Sequence, residues 1–332
     1  MPMPTPRGPV SGCLIAALED PLRSRDDLHL AVDDAVTATV DILADDDLQL
    51  ALTLLYELHL RGIEGIDDAA EWDVDLLAVR AQIEQHVGAA LDDLVGSVDD
   101  PGDVTQALFR TGESSDGPPL AKYMARSATI EQFREVVIHR SLNQLREADV
   151  HTFAIPRLHG RAKAGLIEVQ MDEYGGGRLD YMHATLYAAL MRGLGLNSEY
   201  AHYLNAIPVR TLTAVNVLSY FGLHRSRIHE LIGHLCVVEM TSAIPSREYS
   251  RGLRRLGIGA DARIFFDEHV EADSVHEQLI VREVAGTLGT TPEARIGLLR
   301  GALICSAVEG LATRHIWDSW EDGRSSLIPV DA

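Results

Sequence analysis

"DEHVEADSVHEQ", residues 267–278, places His269, Asp273 and His276 at steps of four and three. At 3.6 residues per turn these steps return each side chain to one helix face. The stretch therefore predicts a helix that points two imidazoles and a carboxylate in one direction, which suits a metal ion. Taken alone, it is also what a solvated helix face would look like. The rest of the chain decides between the two.

Outward from this stretch, almost every segment reads helical. "DDLHLAVDDAVTATVDIL", "DLQLALTLLYELHLRGI" and "DVDLLAVRAQIEQHVGAALDDLVGSV" carry apolar residues at three- and four-residue steps, several behind an aspartate suited to N-capping. Alternating strand patterns and hairpin signals are scarce. "VDDPGD" and "TGESSDGPPL" interrupt the pattern and put a boundary near residue 115. About six long helices follow, an all-α bundle whose core can hold a site built from facing helices.

The chain has 332 residues, 46% of them hydrophobic, enough for one large domain or two. Fifty acids against 29 bases give a net charge of −21, which argues against unaided nucleic-acid binding. Cys13, Cys236 and Cys305 are too scattered for a disulfide framework or a thiolate zinc site, so a reducing cytoplasm is expected. "GCLIAAL" is too short to span a bilayer and lacks the flanks of a signal peptide.

Acids and histidines that break apolar faces are the candidate ligands, because unpaired polar groups there are unfavourable. Glu147 lies late in its helix. Glu173, Asp180 and His183 fall at steps of seven and three, near one face of the next. Glu239 is alone in an apolar run, where the plainer partner would be Arg210 or Arg254. His269, Asp273 and His276 complete the set. His139, His151, His159, His229 and His234 lack such joint support and are read as surface or packing residues. Four or five carboxylates with three imidazoles and no thiolate suit iron or manganese, and eight donors exceed the needs of one six-coordinate ion.

This ordered set resembles the haem-oxygenase-like diiron oxidases, also described as iron-containing redox enzymes, over roughly residues 120–320. The resemblance implies a haem-oxygenase-like bundle in residues 116–332 and a helical N-terminal extension in 1–115. "LTLLYELHLRG" and Trp72 of that extension would supply contacts for a homodimer. One iron would take Glu147, His183 and His276, and the other Glu239, His269 and Asp273, with Asp180 or Glu147 bridging. Glutamate is commoner in the family where Asp180 stands. Family members that oxygenate nitrogen resemble this chain in an extra carboxylate ten residues before the helix histidine, the place of Glu173. The resemblance thus implies an O2-dependent diiron N-oxygenase of specialised metabolism, without haem and with an external electron donor. It would form a peroxo-diferric species and act on the amino group of an amino acid, guanidine or aminoazole. Oxidative C–C cleavage or desaturation of an amino or fatty acid is the alternative on the same metals. The glycines of "YGGGR" mark either a bulge that re-aims Glu173 or a plain turn.

Overall fold

The structure, a computed structural model, describes residues 1–113 and 117–330, and for residues 271–275 the backbone alone. Among the described residues it is all helical, with no strand. The first block holds α1 (Pro9–Glu19), α2 (Asp26–Ala38), α3 (Asp46–Glu57), α4 (Val74–Val95) and α5 (Val104–Glu113). The acids that crowd this block do local work. Asp45 accepts hydrogen bonds from the backbone of Asp47 and Leu48 to cap α3, and Asp73 caps α4 in the same way. The boundary expected near residue 115 falls outside the described residues.

The second block holds α6 (Leu120–Arg126), α7 (Ile130–Gln144), the short α8 (Asp149–Thr152), α9 (Gly160–Glu173), α10 (His183–Gly193) and α11 (Val209–Leu223). Then come α12 (Ile228–Arg255), α13 (Ala260–Gln278), a π-helical stretch Leu279–Ala285, α14 (Gly286–Leu288) and α15 (Pro292–Glu321). From Leu48 to Glu57 every residue of α3 is buried, and α11 is buried from Thr211 to Gly222. These two central helices pack together, and Thr53 donates to Asn216 between them at 3.0 Å. The α3 part of the segment expected to anchor a partner copy is buried within the chain, and Trp72 is 68% exposed.

α12 and α15 cross at backbone contact. A methyl group at Gly233 would collide with the Leu298 carbonyl, and one at Gly301 with the Glu230 backbone. α15 is long and apolar enough to cross a bilayer by length and composition, yet it packs on α12, α11, α5 and α4. α12 also packs against α13, which brings further donors.

Candidate metal centre

Glu147 sits just beyond α7, in a turn held by Ala148 in the left-handed region at φ 70°. Such a conformation is unfavourable for a side chain with a Cβ and must be imposed by its surroundings. Gln144 donates to Glu147 Oε1 at 2.5 Å, and Gln170 donates to the Ala148 carbonyl at 3.3 Å. The turn aims the carboxylate inward.

Glu173 and His183 do not share a helix face. Glu173 ends α9, and Gly175, Gly176 and Gly177 follow with φ of 61°, 61° and 78°. Three left-handed residues in a row stop a helix, so "YGGGR" is a turn. A methyl group at Gly175 would lie 2.5 Å from the Tyr181 carbonyl carbon, so the chain folds tightly back on itself there. His183 consequently opens α10 with its Nδ1 2.9 Å from Glu173 Oε2. Asp180 lies on the intervening 3-10 turn and is exposed, so the structure does not bring it to the other candidates. Glu173 touches His183 of one donor group and belongs to the other.

Two groups result. Glu147, His183 and His269 each offer a donor within 4.8 Å of the others, and Glu173, Glu239 and His276 do the same. The expected partition exchanged the two α13 histidines. They stand seven residues apart, about 10 Å along the axis, so each meets what lies beside its own turn. His269 Nε2 lies 3.6 Å from Glu147 Oε1, and His276 Nδ1 lies 3.5 Å from Glu239 Oε2. The Asp273 side chain is outside the described residues. Glu239 faces His276, and Arg210 binds Asp41 and the Leu43 carbonyl instead.

Each α13 imidazole is oriented from behind. His269 Nδ1 donates to the Phe265 carbonyl one turn back, at 2.7 Å, which directs Nε2 to Glu147. His276 Nε2 donates to Asp172 at 2.8 Å, which directs Nδ1 to Glu239. A carboxylate or carbonyl behind a ligating imidazole fixes its tautomer and raises its basicity. Asp172 was missed in the sequence. Its adjacency to Glu173 carried no helical spacing to the other candidates, and only the meeting of α9 with α13 reveals it. An Asp172→Asn variant should bind iron about 10- to 100-fold more weakly, measured by anaerobic titration with a competing chelator.

The donor set also fits a metal by what it leaves unpaired. Glu147 Oε2, Glu173 Oε2 and His183 Nδ1 are buried without a hydrogen bond among the described residues, although the last two are close. Buried carboxylates and imidazoles in that condition are unfavourable unless a cation joins them. Protons serve in part. Burial pulls His276 down, but Glu239 and then Asp172 more than reverse it and hold it at about 9. Burial also lowers His183, and Glu173 outweighs it, so this imidazole too is raised. A raised folded value stabilises the metal-free chain fully below the ordinary histidine value. That stabilisation fades as pH rises through about 9. Iron must displace these protons, so its affinity should rise about tenfold per pH unit for each proton released. The iron-induced increase in Tm should therefore widen between pH 6 and pH 8, as differential scanning fluorimetry under nitrogen would measure.

Three other buried histidines lie outside the two donor groups. His139 bonds Thr211 and Ser326, and burial holds it near 3. His151 and His234 meet through their ring nitrogens at 3.3 Å, and burial keeps both low.

Residues 134–310, which carry every one of these donors, match the sequence profile of the iron-containing redox enzymes. The chain belongs to the iron-containing redox enzyme family. It is an oxidoreductase of all-α, haem-oxygenase-like fold. It is also similar to the nitrosourea synthase of Streptomyces achromogenes subsp. streptozoticus, at 24% identity over 209 residues. That match covers 60% of this chain and 44% of the relative's length. Within this iron-containing redox enzyme the carboxylate and imidazole groups are suited to iron.

Proposed function

We propose that this enzyme is a diiron N-oxygenase acting on an amino group of a small metabolite. The observation that carries the reading is the position of Glu173. An additional carboxylate lies against His183 and between the two donor groups, where the family's N-oxygenating members resemble it. The similarity to a protein named nitrosourea synthase points the same way. Glu147, His183 and His269 would hold one iron, and Glu173, Glu239 and His276 the other, with Asp273 a further candidate from the sequence. A haem would use one axial histidine and leave three carboxylates buried without a cation.

The paired irons would supply the binding and two-electron reduction of dioxygen. The balance is one amine, one O2, two electrons and two protons giving one hydroxylamine and one water. An external donor provides the electrons. The chain's own residues set the conditions. Asp172 and the Phe265 carbonyl fix the imidazoles. A cavity wall of low polarity also favours the uncharged amine, whose lone pair must be available to accept oxygen.

The test is anaerobic loading with ferrous iron, metal analysis, and reaction with oxygenated buffer in the presence of amines or fatty acids. Two irons per chain and an amine product heavier by one oxygen atom are expected. Products that have lost carbon dioxide or two hydrogens would replace this reading with oxidative cleavage or desaturation. Failure to take up iron would remove the centre altogether.

A further inference from the structure

The second half of α12 carries Arg247, Arg251, Arg254 and Arg255, with Glu248 the one acid among them. At 3.6 residues per turn these arginines and Ile244 fall within about a third of the helix circumference. All five are exposed, while Ser246, Tyr249 and Leu253 bury the opposite side. α6 packs beside this stretch, where Arg255 donates to the carbonyls of Met124, Ala125 and Ala128. α6 adds Lys122 and Arg126, both exposed, and no acid. Glu248 is taken by Arg251 at 2.9 Å, and Lys122, Arg126, Arg247 and Arg254 make no ion pair among the described residues. The chain as a whole has 50 acids against 29 bases. A solvated face of such a protein would intersperse its charges, whereas here bases are gathered and acids kept away.

We infer that this basic stripe of α12 and α6 is the docking surface for the electron donor, a small acidic one-electron carrier protein. Charge complementarity is the first argument. An acidic patch on the carrier meets bases here and acids over most of the remaining surface, so the field selects this face and speeds encounter. Position is the second. α12 also supplies Glu239, and Arg247 follows it by eight residues, about 12 Å along the axis. A carrier seated on the stripe is thereby brought to the helix that reaches the donor groups.

Ile244, 69% exposed, supplies an apolar contact at the end of the stripe nearer Glu239. One apolar side chain within a charged patch suits the small, transient interfaces of redox partners. A nucleic acid or an anionic lipid surface extends beyond six bases and would bring its further charges against the surrounding acids. Two successive one-electron encounters supply the electron pair that the proposed reaction consumes, oxidising two carriers for each dioxygen. The inference rests on the proposed function only for that need of outside electrons.

The test reads binding before any chemistry. Metal-free and iron-loaded full-length protein are titrated calorimetrically at low ionic strength with an oxidised plant-type [2Fe–2S] ferredoxin, an acidic carrier. A short DNA duplex and vesicles of anionic phospholipid are the comparisons. Ferredoxin should bind in both states, and its affinity should fall about tenfold or more on raising salt to the physiological range. Arg247→Glu/Arg251→Glu/Arg254→Glu should weaken binding by about tenfold or more. Arg23→Glu/Arg161→Glu/Arg225→Glu makes the same change in net charge elsewhere and should cost less than about threefold. Stopped-flow reduction of the oxidised iron-loaded protein by reduced ferredoxin should follow the same order. Reduction by a small uncharged mediator should not distinguish the variants, and Tm and iron content report whether each is intact. No ferredoxin binding at low salt, equal losses in the two triple variants, or binding of DNA or vesicles in its place would overturn the assignment. Ferredoxin-driven turnover that depends on the stripe but gives no oxygenated amine would leave docking standing and remove N-oxygenation. An oxygenated amine formed at a ferredoxin-dependent rate that ignores the stripe variant would do the reverse.

Discussion

An His183→Ala variant should lose at least one of two irons and weaken residual iron binding by about 100-fold or more, with oxidation falling to background. His183 is the first residue of α10, and its Nδ1 meets Glu173 at 2.9 Å and Glu147 at 4.0 Å. Without the imidazole, two buried carboxylates face each other with one donor fewer to share a cation. The informative control is His139→Ala, another buried histidine, whose partners are Thr211 and Ser326. That variant should keep its iron while losing some stability. Metal analysis after anaerobic loading compares the two. Full iron content in His183→Ala would place the centre elsewhere.

The largest effect on stability is expected at Arg146. It is buried and donates to Glu57 of α3 at 2.8 Å and to Ser219 of α11 at 3.2 Å, while Tyr200 donates to the same Glu57 oxygen at 2.7 Å. Removing one partner of a buried ion pair leaves the other charge uncompensated, so Arg146→Ala should destabilise the fold by about 3–5 kcal/mol. A Glu57→Leu/Arg146→Met double variant removes both charges and should recover much of that loss. Equilibrium urea denaturation of the single and double variants checks both statements. Arg146 immediately precedes Glu147, so iron affinity should fall with stability in Arg146→Ala. The double variant should regain stability more fully than affinity.

Much of the fold was legible because helical periodicity is a local signal. The aspartates that cap α3 and α4 could be named before any packing was known. Glu147, Glu173, His183, Glu239, His269 and His276 were likewise legible as an ordered set, and the structure gathers all six. What did not follow was how they divide. A seven-residue step fits one helix face only if the helix continues, and three left-handed glycines end α9 between Glu173 and His183. Asp180 was credited on that assumption and is exposed on the turn. The exchange of His269 and His276 has a similar origin. Spacing gives a common direction, whereas the choice of neighbour depends on where α9, α10 and α12 meet α13. Asp172 stayed hidden because an acid on a helix reads as solvated until the imidazole it meets is seen.

The π-helical stretch Leu279–Ala285 begins three residues after His276. Each π turn holds about one residue more than an α turn, so the chain carries one residue of surplus length there. That surplus separates two requirements of a single rod. Upstream, α13 keeps His269 and His276 on the donors. Towards its end, Val284 packs against α9 so closely that a methyl group at Gly165 would lie 2.9 Å from it. In evolutionary terms the stretch resembles a frame correction. Deleting any one residue from it would leave every ligand in the sequence, yet would rotate one half of the rod by about 100° against the other. Related chains that differ by a single-residue gap at this place would thus have to choose between the packing of α9 and the aim of the histidines.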